Sequence, residues 1–139
     1  MMRPSALARW HAIAASRDAD GLDALLADDV VFLSPVAHKP QVGKALTKAY
    51  LAAALSVLGN ETFRYVGQWL GDNSAALEFV TVVDGVEING ADFIAWNEAG
   101  RIMRFKVMIR PLKAINLLQQ LMAARLAAGG GGGISPPGA

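Results

Sequence analysis

The chain has 139 residues, 53% of them hydrophobic and 18% charged, which predicts one domain with a sizeable core; no apolar run approaches the ~20 residues of a membrane span. A net charge of +1 with scattered basic residues argues against a nucleic-acid-binding surface. The lack of cysteine excludes disulfides, thiolate metal sites and cysteine nucleophiles, and the N-terminus has no apolar signal core, which predicts a cytoplasmic location.

The first half of the chain is predicted to be mainly helical. Apolar residues recur at helical spacing in three segments, and a short apolar run separates the second from the third. The predicted elements are helices over 5–17, 22–27 and 43–58 and a strand over 30–33. Gly21 is suited to a left-handed helix stop. The segment 34–42 contains two prolines and is therefore expected to be an irregular loop.

The second half alternates apolar and polar residues with the period of two that is typical of strands. The predicted elements are strands over 61–70 and 75–83, two strands within 84–110 that flank a turn at 97–100, and a helix from Pro111 to about Leu126. Asp84 and Gly85 are a strong signal for a tight hairpin turn. In the strand over 61–70, Phe63, Tyr65 and Trp69 share one face.

One acidic residue falls on the apolar face of its predicted strand. Period two places Asp92 on the same face as Val86, Ile88, Ile94 and Trp96. The facing strand offers no cation at this parity, because its inner face consists of Met103, Phe105, Val107 and Ile109. A buried carboxyl without a cation should have a pKa above the usual ~3.9. Asp92 is therefore an acid–base group in a dry pocket, a structural acid that hydrogen-bonds a backbone group or a tyrosine hydroxyl, or a residue that a bulge turns outward.

The order of the elements is an α+β plan. We expect a cone-shaped, strongly bent antiparallel sheet that is covered by the N-terminal helices and carries an extra C-terminal helix. The interior of this cone would be an apolar pocket. A single domain is expected over 1–128, followed by a flexible glycine- and proline-rich tail at 129–139.

Two stretches of the sequence, ADGLDALLADDVVFLSPV and DFIAWNEAGRIMRFKV, carry a family resemblance. With the element order, they resemble the nuclear transport factor 2-like superfamily, and within it the SnoaL-like and ketosteroid-isomerase-like proteins. The resemblance covers about residues 5–110. It implies a cone-shaped fold with a pocket, but it implies no single activity, because the superfamily includes several enzyme classes and proteins without catalysis.

The resemblance also implies which positions would carry isomerase chemistry. The general-base aspartate would fall at Ser34 and the oxyanion-hole tyrosine near Ile13, so both groups are missing. The buried second acid matches Asp92. We therefore expect that the chain is not a ketosteroid isomerase. By the same alignment, the pocket lining would include Leu26, Tyr50, Leu77, Phe79, Ile88, Phe105, Val107 and Ile109.

Three further polar residues are weaker candidates. His38 could act as an acid–base group at the pocket mouth, although a lone loop histidine is more often exposed. Ser34 would contribute to the pocket, as a nucleophile or, more commonly, as a turn residue. His11 is expected to pack on the first helix. The two histidines are too far apart for a metal site, and no phosphate-binding glycine loop is present, so neither metal nor cofactor is predicted.

These observations predict a cofactor-free enzyme of the SnoaL-like type that performs acid–base chemistry on a small, mostly apolar organic molecule. Asp92 and His38 are the catalytic candidates. The alternatives are a non-catalytic ligand-binding protein and a structural dimerisation module of the same fold. The apolar stripe of the last helix, formed by Ile115, Leu118, Leu121 and Met122, predicts an interface or a lid. A homodimer is expected.

Overall fold

The computed structural model describes residues 5–128, which form an α+β fold of four α-helices and one curved six-stranded sheet. In chain order the elements are α1 (Ala6–Ser16), α2 (Leu22–Leu25), β1 (Leu26–Leu33), β2 (Gln41–Val42), α3 (Lys44–Leu58), β3 (Arg64–Leu70), β4 (Ser74–Val83), β5 (Val86–Trp96), β6 (Ile102–Arg110) and α4 (Leu112–Ala128). The strands lie in the order β2-β1-β6-β5-β4-β3. The predicted α+β class is confirmed, and the tail at 129–139 lies outside the described residues.

The sheet is mixed rather than wholly antiparallel, because β1 runs parallel to β6 and antiparallel to β2. This pairing also changes the element boundaries at the start of the chain. Leu26 pairs with Ile102, so α2 ends at Leu25 and β1 begins well before the predicted strand start at residue 30. Long-range pairing outweighs the local helical pattern here. The predicted loop over 34–42 is irregular except at Gln41–Val42, which forms β2.

The first helix ends differently from the prediction. Ser5 caps α1 by accepting a hydrogen bond from the Ala8 backbone N–H. Its end lies at Arg17, which adopts the left-handed conformation with φ of 59°, whereas Gly21 is right-handed with φ of −73°. The guanidinium of Arg17 donates to the Gly59 carbonyl at 2.6 Å, and this contact holds the residue in place.

Two bulges change which side chains face inward. The ladder between β3 and β4 shifts after Tyr65, so Trp69 pairs with Ala76 on the outer face and is 61% exposed, contrary to the prediction. The ladder between β5 and β6 shifts beside Ala95, so Met103 is exposed and Ile102 is buried instead. An extra residue in a strand reverses the facing of all residues beyond it.

The helices cover the concave side of the sheet, and α4 packs against α3 and β6. The inner side of α4 is buried in the protein's own core through Ala114, Leu118, Met122 and Leu126. Ile115 and Leu121, which the sequence placed in the same stripe, are half-buried. The stripe of α4 thus contributes mainly to this chain's own core. None of the helices in the described part of the chain combines the length and hydrophobicity needed to cross a membrane.

Candidate functional site

A small cavity lies between the concave face of the sheet and helices α1, α3 and α4. Its volume is about 60 Å³, well below the ~300 Å³ at the lower end of pockets for drug-sized ligands. The lining is almost entirely apolar, and it includes six aromatic side chains, from Trp10, Phe32, Phe63, Tyr65, Phe79 and Phe105. Asp92 is the one charged residue among the described residues that line it.

Asp92 reaches the cavity because β5 is regular at this point. It pairs with Leu77 on β4 and Val107 on β6, and only 5% of its surface is exposed. Gly90, two residues earlier on the same face, allows the ring of Phe79 to approach the strand. A Cβ atom at this position would lie 2.8 Å from the Met108 carbonyl oxygen and would also collide with the Phe79 ring.

A chain of two hydrogen bonds ends on Asp92. The Trp10 indole Nε1 on α1 donates to the Tyr65 hydroxyl at 2.9 Å. The Tyr65 hydroxyl on β3 then donates to Oδ2 of Asp92 at 2.6 Å. Because an indole N–H can only donate, this chain has one direction, from α1 through β3 to β5.

The second carboxyl oxygen of Asp92 remains available. Among the described residues, Tyr65 is the donor to this carboxyl, and it binds Oδ2. Oδ1 is not among the fully buried polar atoms that lack a hydrogen-bond partner. Oδ1 is therefore the carboxyl oxygen that a molecule in the cavity can contact.

Burial raises the pKa of Asp92 to about 7, while the hydrogen bond from Tyr65 opposes the shift. Burial and the Asp92 charge raise the pKa of Tyr65 above its usual value, so the phenol keeps its proton at neutral pH. The pKa of Asp92 is raised, as the sequence predicted. At neutral pH Asp92 can therefore gain or lose a proton with little free-energy cost.

The structure brings only part of the predicted lining to the cavity. Those at the cavity are Ser34, Phe79, Asp92, Phe105 and Val107, and those elsewhere are Leu26, Tyr50, Leu77, Ile88 and Ile109. Leu26, Tyr50, Leu77 and Ile88 are buried in the core, and Ile109 is half-buried against it.

The loop after β1 forms one rim of the cavity. The Ser34 hydroxyl accepts hydrogen bonds from the backbone N–H groups of Val36 and Ala37, at 3.0 and 3.2 Å. This geometry stabilises a turn. His38 is exposed and is not among the residues that line the cavity. Within residues 5–128, no three His, Asp or Glu side chains are grouped closely enough to hold a metal ion.

Trp10 and Tyr65 were not among the predicted site residues, yet Tyr65 donates to Asp92 and Trp10 donates to Tyr65. Trp10 and Tyr65 are 55 residues apart in the chain, and Tyr65 and Asp92 are 27 apart. The available signal was that each carries one polar atom on an apolar face, and such atoms need a partner when buried. Ile13, which the resemblance placed near the isomerase tyrosine, does not line the cavity, whereas Trp10 does.

The sequence profile of the SnoaL-like domain family matches residues 7–105. The chain belongs to the SnoaL-like domain family. Among solved structures, this SnoaL-like chain is similar to a steroid delta-isomerase from Pseudomonas aeruginosa, with 40% identity over 88% of this chain and 90% of that one and a TM-score of 0.84. The predicted resemblance is confirmed at the level of family and fold.

Two other structures are similar to this SnoaL-like chain. A protein with a cystatin-like fold from Silicibacter pomeroyi is 34% identical, over 88% of this chain and 85% of that one, with a TM-score of 0.81. A protein with a ketosteroid isomerase-like fold from Catenulispora acidiphila, in complex with trimethylamine, is 13% identical over 82% and 91%, with a TM-score of 0.61, which shows the fold alone. No curated protein sequence matches the chain significantly.

Proposed function

We propose that this SnoaL-like chain is a cytoplasmic protein that binds a small, mostly apolar organic molecule and performs cofactor-free acid–base chemistry on it. The observation that carries this proposal is Asp92, a carboxyl with a pKa raised to about 7 in an aromatic cavity. A group whose pKa lies near the operating pH is suited to both giving and taking a proton. Oδ1 is the atom that would exchange this proton with the ligand.

Ketosteroid isomerisation is not the activity that we propose, although the relative at 40% identity is a steroid delta-isomerase. Ser34 stands where the resemblance implies the general base, and its hydroxyl is engaged in a turn. A cavity of about 60 Å³ is also far smaller than a steroid requires. Efficient isomerisation of a ketosteroid by the purified protein would contradict this part of the proposal.

Binding without catalysis is the second candidate function. It is favoured because Asp92 is the one charged side chain of the described lining, and Tyr65 is already committed to it by a hydrogen bond. His38, the predicted second acid–base group, lies outside the lining. A binding protein needs only the cavity, whereas an enzyme needs the proton of Asp92 to move.

The indole N–H of Trp10 provides a direct test of ligand binding. We expect its nuclear magnetic resonance signal to shift when small ketones, alcohols or amines fill the cavity, because it is bonded to Tyr65 beside Asp92. Asp92→Asn should change the selection of compounds, and Asp84→Asn, at an exposed turn, should not. If no compound of these classes moves the Trp10 signal, the proposed function is wrong.

We also propose that the protein is a homodimer that pairs through the outer face of its sheet. Trp69, Phe93 and Met108 are exposed by 61%, 36% and 52%, and they line one groove on this face. Large apolar side chains clustered on a surface are typical of a protein interface. Because α4 is largely used within the chain, the sheet face supplies this surface.

Trp69→Glu is expected to convert the dimer to a monomer, since the substitution places a charge beside the apolar side chains of Phe93 and Met108. Val42→Glu is the matched control, because Val42 is 64% exposed but lies on β2, at the opposite edge of the sheet. Sedimentation velocity at tens of micromolar protein would measure the assembly. A monomeric wild type, or an equal effect of the two substitutions, would contradict the dimer.

A further inference from the structure

We infer that the ligand of the Asp92 cavity is a small organic amine, bound as its cation between Oδ1 of Asp92 and the surrounding aromatic rings. This inference rests on the proposed function and names its ligand class. A methylated or short-chain alkylammonium ion, with few heavy atoms and one positive charge, has the chemistry that the site would recognise.

The first argument is the direction of the hydrogen-bond chain. Trp10 can only donate, and it donates to the Tyr65 oxygen, which leaves the Tyr65 hydrogen for Asp92. The Trp10 hydrogen therefore points at the Tyr65 oxygen, and the Tyr65 hydrogen points at the carboxyl. A donor aimed at a carboxyl stabilises its ionised form, so the Tyr65 hydrogen bond offsets part of the cost of ionising Asp92 in its buried position.

The second argument is that this charge has no counter-charge in the cavity. The side chains that α3, α4, β4 and β6 direct into the described lining are apolar, and Ser34 at the rim is neutral. Besides Asp92, Tyr65 is the one titratable group in the described lining. The His11 ring packs edge-on against Tyr65 at 5.3 Å and forms a hydrogen bond with Gln68. Lys106 lies over the Phe93 ring on the outer face. A buried carboxylate is costly without a cation, and a cationic ligand would supply one.

The third argument is the aromatic lining. The rings of Phe63 and Phe79 stack at 5.2 Å, and Phe105 meets Trp10 edge-on at 4.8 Å. Together with Phe32 and Tyr65 they line the cavity that Asp92 enters. Aromatic faces attract organic cations, and sets of such rings are a known means of binding alkylammonium groups. The small cavity volume suits a compact cation better than a large neutral molecule.

Binding of a permanent cation tests the inference with the ligand's own charge held constant. Titration calorimetry would compare tetramethylammonium with tert-butanol, its neutral counterpart of similar size. For the wild type we expect the tetramethylammonium affinity to rise by about tenfold per pH unit below the pKa of Asp92 and to level off above it, because only the ionised carboxylate binds. The tert-butanol affinity should not rise with pH.

Three variants extend this test. Asp92→Asn keeps the side-chain size and should lower the affinity for tetramethylammonium by about tenfold or more at pH 8. This is the usual magnitude for the loss of an ion pair. Asp84→Asn removes a charge at an exposed turn and should bind like the wild type. Tyr65→Phe removes the donor to Oδ2, so the rise of affinity should move to higher pH. The Trp10 indole signal verifies that each variant is folded.

Other results would contradict either the amine inference alone or the proposed function as well. Equal tetramethylammonium affinity in the wild type and Asp92→Asn, or tighter binding at pH 5 than at pH 8, overturns the amine ligand. If tert-butanol or cyclohexanone binds in the cavity in that case, only the amine inference is wrong and the proposed function is not contradicted. Failure of all these compounds to bind overturns both.

Discussion

Asp92→Asn is expected to remove a loss of stability that the wild-type protein suffers as the pH rises from about 4 to about 7. The folded pKa of Asp92 is raised to about 7, whereas the unfolded chain should have the usual value near ~3.9. Between these values the folded state binds more protons than the unfolded state, so the free energy of unfolding falls with rising pH. The slope is at most about 1.4 kcal/mol per pH unit, on the order of 4 kcal/mol in total. The contribution is complete below the unfolded pKa and lost above the folded one.

Urea unfolding of both proteins between about pH 4 and pH 9 measures this difference. Asparagine keeps the size of the side chain and an oxygen that can accept a hydrogen bond from Tyr65. The free energy of unfolding of the variant should therefore rise relative to that of the wild type until about pH 7. Asp84→Asn serves as the control, because Asp84 is an exposed turn residue with φ of 49°, a conformation that asparagine tolerates. If the wild type instead becomes more stable than Asp92→Asn as the pH rises, Asp92 is ionised and paired, and the acid–base proposal is wrong.

Phe105→Ala is expected to lower the free energy of unfolding by about 3–5 kcal/mol, the range for removal of a buried aromatic ring. Phe105 is 1% exposed, and its ring lies 4.8 Å from that of Trp10 and 6.1 Å from that of Phe32. Because it lines the cavity, the substitution should also enlarge the cavity and admit bulkier ligands than the wild type does.

Met103→Ala is the matched control, since Met103 lies on the same strand but is the extra residue of the bulge and is 47% exposed. Its effect should stay within about 1 kcal/mol, as for most surface substitutions. Urea titrations followed by circular dichroism would give both values. Equal losses for Phe105→Ala and Met103→Ala would contradict the assigned facing of β6.

The sequence by itself was sufficient for features that depend on neighbouring residues. Asp84 and Gly85 form the predicted hairpin turn with φ of 49° and 76°, because short-range steric limits decide which residues adopt positive φ. Asp92 faces inward as predicted, since β5 is paired without interruption from Val86 to Ala95 and the period of two is preserved. The raised pKa follows from this burial among apolar neighbours.

Only the tertiary structure decided which side chains meet at the site. Trp10, Tyr65 and Asp92 lie on three elements, and their contacts span 55 and 27 residues. The facing of Trp69 and Met103 depended on two bulges, each a single extra residue in one strand of a ladder. Periodicity describes one segment at a time, whereas register, bulges and the parallel contact of β1 with β6 arise from pairing between distant segments. The position of Asp92 could therefore be predicted from its own strand, but its donors and the aromatic cavity around it depend on how the strands and helices pack.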